Sequence, residues 1–380
     1  MSQLSITHRA SIDPMAPYVP GRPVEDVKKE FGLTQVIKLA SNENPLGCSL
    51  KAKEAAVTSL EESNLYPDGS CAKLRNLLAE SLSVKPTELV FGCGADEVIA
   101  MAGKVFISPG DECITGAVTF SQYAASAASM GGVMVYAPLK NHTYDLDAIL
   151  ERVTDKTKII FLANPNNPTG SAFNAGAQEA FLEKVPPRVL VVIDEAYAEF
   201  VTDPHYPRTL PMLQKYKNLM LIKTFSKVYG LASYRVGYGI ADESIIALFE
   251  KIRPPFNVSA QAQAAAYAAY QDQDFVRASF RVNEQSLAFT CRALEEMGLR
   301  YTPSQANFIW MDCGKDSRVV FLDLMKKGYI IRPGYALAPG SGETYLRVTM
   351  GTLEQMEGFI GALKEALGNR FSESKGIHKL

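Results

Sequence analysis

At 380 residues the chain exceeds one compact core, and about 150 residues per domain predicts two or three units. Apolar residues make up 47% and charged residues 21%, the balance of a globular protein with an ordinary core. The net charge of -2 sets aside a dedicated nucleic-acid binder, whose contact face is strongly basic.

The start, "MSQLSITHRASIDPMAPYVPG", lacks the apolar segment of a secretory signal. No run of about 18 apolar residues offers a membrane span anywhere in the sequence. The first ~35 residues are rich in Pro and Gly and then charged ("VEDVKKEFG"), which predicts an arm with one short helix. Strand and helix signals then alternate. "ELVFGCG" reads as a strand and "ADEVIAMAGKVFI" as a helix with acidic residues in its first turn. "ECITG", "VMVYAPL", "KIIFLANP", "RVLVVIDEAY" and "LMLIKTFS" are further short apolar runs, with helices such as "SQYAASAASM" and "AQEAFLEKV" between them. This order predicts an α/β fold whose mostly parallel sheet is covered by helices on both faces. Ligands of such sheets bind beyond the carboxyl ends of the strands.

Past residue ~255 the pattern changes to two successive helices, then short strands ("NFIWMD", "YIIRPG", "YLRVTMG") and two more helices ("RVVFLDLMKKG", "LEQMEGFIGALKEAL"). The expected division is an arm 1–38, a large domain 39–258, a smaller α+β domain 259–368 opened by a bridging helix, and a polar tail 369–380. Six cysteines, at 48, 71, 93, 113, 291 and 313, contain no C-x-x-C pair and read as free thiols in a reducing cytoplasm. No metal site is expected.

The polar ends of the strands carry the chemistry. In "IDEAY", Asp194 closes an apolar strand; it is either a loop cap or the partner of a buried cation, because a lone buried carboxylate is costly. "NPNNPTG", 164–170, is turn chemistry, or a rigid frame that aims an Asn amide into a site. "GCGADE", 92–97, joins strand to helix with small residues, and the N–H groups of such a helix start suit a phosphate. It is not the G-x-G-x-x-G dinucleotide motif, since the third glycine is missing. Lys227, in "KTFSKVYGLASYRVGYG", stands among hydroxyls, aromatics and small residues. Such surroundings disfavour the ammonium form and leave an amine nucleophile of the kind an aldehyde cofactor requires. Pyridoxal phosphate needs that lysine, a carboxylate for its ring nitrogen and an anchor for its phosphate.

The series "YPDG … GCGADE … NPNNPTG … DEAY … TFSK … R … LRVT" resembles the histidinol-phosphate aminotransferase family, within the class II, fold-type-I pyridoxal-phosphate-dependent aminotransferases and their aromatic-amino-acid-using relatives. "APYVPGRP", "IKLASNENPLG" and "RPPFNV" extend the resemblance over residues ~15 to ~365. It implies that Lys227 bonds the cofactor and carries the proton from the substrate. Asp194 would pair with the ring nitrogen, Tyr197 and Asn167 with the phenolic oxygen, and Phe120 would stack on the ring. Gly94, Ala95, Asp96, Thr224, Ser226 and Arg235 would surround the phosphate. Tyr66 would reach the phosphate in a neighbouring subunit, making a homodimer part of the site.

For substrate, the resemblance implies Arg347 as carboxylate anchor and Arg332 as a second anionic anchor, with Asn44 and Tyr18 also in contact. The implied reaction moves the amino group of L-histidinol phosphate to 2-oxoglutarate. Aromatic amino acids are the alternative donors, and a decarboxylase or lyase on the same scaffold is a further reading. The family's Ala-Gly-Leu-Arg is "ASYR" here, so Ser233 and Tyr234 should alter the cofactor loop. "RPGYALAPGSGETYLRV" exceeds the family's compact length and should alter the substrate rim.

Overall fold

The computed structural model describes residues 6–17 and 20–368. The apolar runs assemble one seven-stranded sheet, in the order Leu89–Gly92, Gly237–Ala241, Leu219–Thr224, Leu190–Asp194, Thr157–Ala163, Glu112–Gly116 and Val133–Ala137. Six strands share one direction; Gly237–Ala241 opposes both of its neighbours. Strand Leu190–Asp194 is buried along its whole length, as a near-continuous apolar run in a covered parallel sheet should be. Val191 and Ile193 enter one core with Phe181 and Phe225, while Leu190 and Val192 enter another with Val98 and Tyr123. That alternation places helices on both faces, as the strand–helix order predicts.

The antiparallel strand Gly237–Ala241 escapes a pattern-based reading because glycine has weak strand preference. Its glycines answer to space. A Cβ on Gly237 would lie 2.5 Å from the backbone nitrogen of Ala95, and one on Gly239 would lie 2.3 Å from Met220 Cε. The helix Ala95–Phe106 can therefore start close to the sheet only because residue 237 has no side chain. Gly237→Ala is expected to lower stability by about 1–3 kcal/mol, read as a lower denaturant midpoint.

The smaller unit holds an antiparallel sheet ordered Arg300–Thr302, Phe308–Asp312, Tyr345–Thr349 and Arg332–Pro333. Its core takes Leu324 from helix Ser317–Lys326 and Phe359 and Leu363 from helix Leu353–Leu367. The predicted helix of the arm is Val24–Phe31, and the stretch after it packs on this smaller unit: Ile37–Lys38 pairs in parallel with Tyr329–Ile330. The helix Ala260–Gln271 buries Ala262, Ala265, Ala266 and Ala269 in the larger core. The 24-residue helix Gln273–Glu296 follows it and adds Ala293 and Leu294 to the smaller core.

Candidate active site

The carboxyl ends of the parallel strands open on a cavity of about 260 Å3. Lys227, Asp194, Tyr197, Asn167, Phe120, Ala95, Asp96, Thr224, Ser226, Arg235, Arg332 and Arg347 all line it. Asp194 ends strand Leu190–Asp194, and Thr224 ends its neighbour, which continues through Ser226 to Lys227.

Lys227 Nζ donates to the Ser41 carbonyl at 3.2 Å and lies 5.7 Å from the centre of the Tyr197 ring. Burial, reinforced by the Arg347 charge, brings its amine down from 10.5 to about 8. In cofactor-free protein, Lys227 should therefore react with an amine-directed reagent with a pH midpoint near 8. Surface lysines should lag until about pH 10.4, so mass mapping of labelled peptides across pH separates the two.

Asp194 is 5% exposed, and burial lifts its carboxyl to about 6. Hydrogen bonds and the Lys227 charge oppose that rise: Tyr123 Oη donates to Oδ2 at 2.8 Å, and the Ala196 N–H to Oδ1 at 3.1 Å. Tyr197 is buried, its hydroxyl accepting from Asn42 Nδ2 at 2.9 Å, and burial pushes its phenol up to about 12. The Tyr197 ring meets Phe308 edge-on at 5.1 Å.

At the other end of the cavity, helix Ala95–Phe106 presents its first N–H groups. Its N-cap, Gly94, does not line the cavity but has φ +80°, and a Cβ there would sit 2.5 Å from Arg235 Nη2. Glycine thus lets the guanidinium settle over the helix start. Arg235 also donates to Asp96 Oδ2 at 3.4 Å and to the Ala232 carbonyl at 3.1 Å. Ser226 and Thr224 lie beside it, the Ser226 N–H donating to Thr224 Oγ1 at 3.1 Å. N–H groups, hydroxyls and a guanidinium together make a cradle for a phosphate.

On the smaller unit, Arg332 and Arg347 are directly paired across antiparallel strands. Like charges facing each other across a ladder repel, and a bound anion relieves that. Arg347 is 6% exposed; Nη1 donates to Asn167 Oδ1 and Nη2 to the Ala40 carbonyl, each at 2.6 Å. The segment between the two arginines folds tightly, with Gly334 so near the Gly342 carbonyl that a Cβ would be 2.2 Å from its oxygen.

Three expectations fall elsewhere. Asn44 does not line the cavity: its amide nitrogen is taken by the Val228 carbonyl at 2.9 Å and Ser279 Oγ at 2.8 Å. Asn42, two residues earlier with φ +55°, enters the cavity in its place. Ser233 is exposed and Tyr234 packs partly on the larger core, since the turn Ala232–Tyr234 brings only Ala232 and Arg235 to the cavity. Tyr66 is 83% exposed, stacked on Phe256 at 4.7 Å, and outside this cavity. Tyr18 lies outside the described residues. Tyr123 and Asn42 were not foreseen; Tyr123 stacks on Phe161 at 5.0 Å and holds Asp194.

A depressed amine, a buried carboxylate and a phosphate cradle at the strand ends define a pyridoxal-phosphate-dependent enzyme of fold type I. The chain belongs to the family of class I and II aminotransferases, whose pattern matches residues 34–363. It is 45% identical over 359 residues to the histidinol-phosphate aminotransferase of Caldicellulosiruptor saccharolyticus, covering 94% of this chain and 99% of that one. With the Bacillus subtilis histidinol-phosphate aminotransferase it shares 46% over 354 residues, 93% of this chain and 98% of the relative. The crystal structure of histidinol-phosphate aminotransferase from Sinorhizobium meliloti, in complex with pyridoxal-5'-phosphate, superposes with a TM-score of 0.87 at 27% identity. That match covers 96% of this chain and 98% of the other.

Proposed function

We propose that this aminotransferase moves the amino group of L-histidinol phosphate to 2-oxoglutarate, giving imidazole-acetol phosphate and L-glutamate. The carrying observation is the pairing of Arg332 with Arg347 in a cavity that also holds Lys227. A phosphate monoester brings nearly two negative charges, and glutamate brings two carboxylates. Both partners thus match two guanidiniums, whereas an aromatic amino acid offers one carboxylate.

The residues present fit pyridoxal phosphate. Asp194, buried with only neutral donors, gains most from a cation such as a protonated ring nitrogen. Tyr197 and Asn167 serve the phenolic oxygen, and Phe120 covers the ring. The amides of Ala95 and Asp96, the Gly94 cap, Thr224, Ser226 and Arg235 hold the phosphate. When bound, the cofactor supplies an aldehyde that captures amines and a ring that withdraws electrons from the substrate's Cα. Lys227 would hold that aldehyde at rest, and its Nζ, once freed by the amino donor, would take the Cα proton and later return one. The burial that brings this amine down toward neutral pH suits it to such proton transfer. Arg347 and Arg332 fix the donor's anionic end so that Cα stays within reach of Nζ.

Two copies complete the site in this reading. Tyr66 would reach the phosphate of a neighbouring copy, and its exposure beside exposed Phe256 leaves it open to such a contact. Sedimentation as a monomer at micromolar concentration would remove that element. A cytoplasmic setting fits six cysteines without a disulfide.

The substrate assignment is tested by kcat/KM with 2-oxoglutarate as acceptor. Histidinol phosphate should exceed phenylalanine by at least roughly tenfold, since one lost charge-assisted contact costs about 1.5–3 kcal/mol. Preference for phenylalanine overturns it.

A further inference from the structure

Lys223 lies four residues before Lys227 but does not line the cavity, and none of the steps above uses it. Its Nζ sits 3.0 Å from Glu199 Oε1 and 3.4 Å from Glu195 Oε2. The three side chains are only 17%, 19% and 7% exposed. Burial alone would lower the lysine's hold on its proton, but Glu199 and Glu195 outweigh it and raise the lysine well above its usual range. Tyr206, Tyr229 and Tyr238 are further titratable groups that face it.

A buried ion triad is a poor device for stability, because well-packed apolar residues often do as well. Its location is more informative. Glu195 and Glu199 bracket Tyr197 on the irregular turn that follows strand Leu190–Asp194. Lys223 belongs to the adjacent strand, one residue before Thr224. One ammonium therefore ties the turn that carries Tyr197 to the strand end that leads to Lys227. Three of the turn's backbone bonds stay within it (Ala198 N–H to the Glu195 carbonyl at 3.2 Å, Phe200 N–H to Tyr197 at 3.0 Å and Val201 N–H to Ala198 at 3.3 Å), while Glu195 N–H reaches the Ile222 carbonyl of the adjacent strand at 2.9 Å.

We propose that Lys223 is a positioning residue: by gripping Glu195 and Glu199 on both sides of Tyr197, it sets the Tyr197 hydroxyl relative to Lys227. The inference rests on the reading that Tyr197 serves the cofactor's phenolic oxygen. A shift of that hydroxyl changes how strongly the cofactor-bonded lysine holds its proton, and the cofactor's visible absorbance reports this as a pH midpoint.

The experiment titrates the absorbance of the holoenzyme for Tyr197→Phe, Lys223→Met, Lys223→Arg, Glu199→Gln and the Tyr197→Phe/Lys223→Met double variant. Melting temperatures are recorded alongside. Glu199→Gln leaves Lys223 paired one to one with Glu195, so it provides a folded variant if Lys223→Met does not fold. Lys223→Met or Glu199→Gln should move the midpoint by roughly half a pH unit or more, as coupling between contacting groups does. Lys223→Arg should restore it, and the double variant should move no further than Tyr197→Phe. A midpoint unchanged in Lys223→Met and Glu199→Gln, or additive shifts in the double variant, overturns the proposal. No shift in Tyr197→Phe itself would instead overturn the role given to Tyr197.

Discussion

Lys227→Ala is expected to lower the rate of amino transfer by at least about a thousandfold, while the protein stays folded. Among the described residues lining the cavity, Lys227 is the only lysine. No other side chain there can both bond an aldehyde and take a proton from Cα. Its removal also relieves a burial cost, the same cost that brings the amine down to about 8. The sign follows from linkage: between pH 8 and 10.5 the unfolded lysine holds a proton that the folded one has lost. The penalty is therefore complete below pH 8 and fades as pH rises toward 10.5. Cofactor-free Lys227→Ala should melt at or above the parent's temperature at pH 7. Steady-state rates and melting curves on the same preparation check both halves. Near-parental turnover would remove Lys227 from the chemistry.

Asp194→Asn has opposite effects on activity and stability. With the cofactor bound, the substitution replaces the buried carboxylate that Tyr123 holds by a neutral amide, so a protonated ring nitrogen would lose its proposed counter-charge. Removing one member of a buried ion pair costs about 3–5 kcal/mol, which is roughly a hundredfold to ten-thousandfold in rate when the charge matters in the transition state. Without cofactor the carboxyl titrates near 6 in place of 3.8, because burial penalises the anion. The native state then binds the extra proton, and stability falls as pH rises from 3.8 to 6. Cofactor-free Asp194→Asn lacks that loss, so at pH 7 it should exceed the parent by up to about 3 kcal/mol in denaturant unfolding. The Asn Oδ1 can still accept from Tyr123. A variant that keeps full activity, or that is less stable without cofactor, contradicts the account.

The sheet was legible because buried parallel strands are written as unbroken apolar runs, and "RVLVVIDEAY" becomes a strand buried at every position with its carboxylate at the tip. The strand ends of such a sheet gather the ligand, so the four segments "GCGADE", "NPNNPTG", "DEAY" and "TFSK" could be brought together without knowing any distance. The exceptions have physical reasons. Gly237–Ala241 is a strand chosen for the absence of side chains, and that leaves no periodic signal. In "SNEN" two asparagines two residues apart look alike; the left-handed backbone at Asn42 decides which one meets Tyr197. Tyr123 sits in an alanine-rich helix and reads as packing, yet its partner Asp194 is 71 residues away. Ser233 and Tyr234 depart from the family's letters, but one turn of 3-10 helix keeps both out of the cavity. Lys223 reads as an ordinary strand-end charge until Glu195 and Glu199 are brought to it.

The most direct measurement mixes holoenzyme with one equivalent of 15N-labelled L-histidinol phosphate and no oxo acid, then separates protein from small molecules. The account predicts that the label stays with the protein, up to one nitrogen per site, while imidazole-acetol phosphate is released, and that added 2-oxoglutarate carries the label off as glutamate. Release of the label as free ammonia alongside the oxo product, or no label retained at any time, would contradict it.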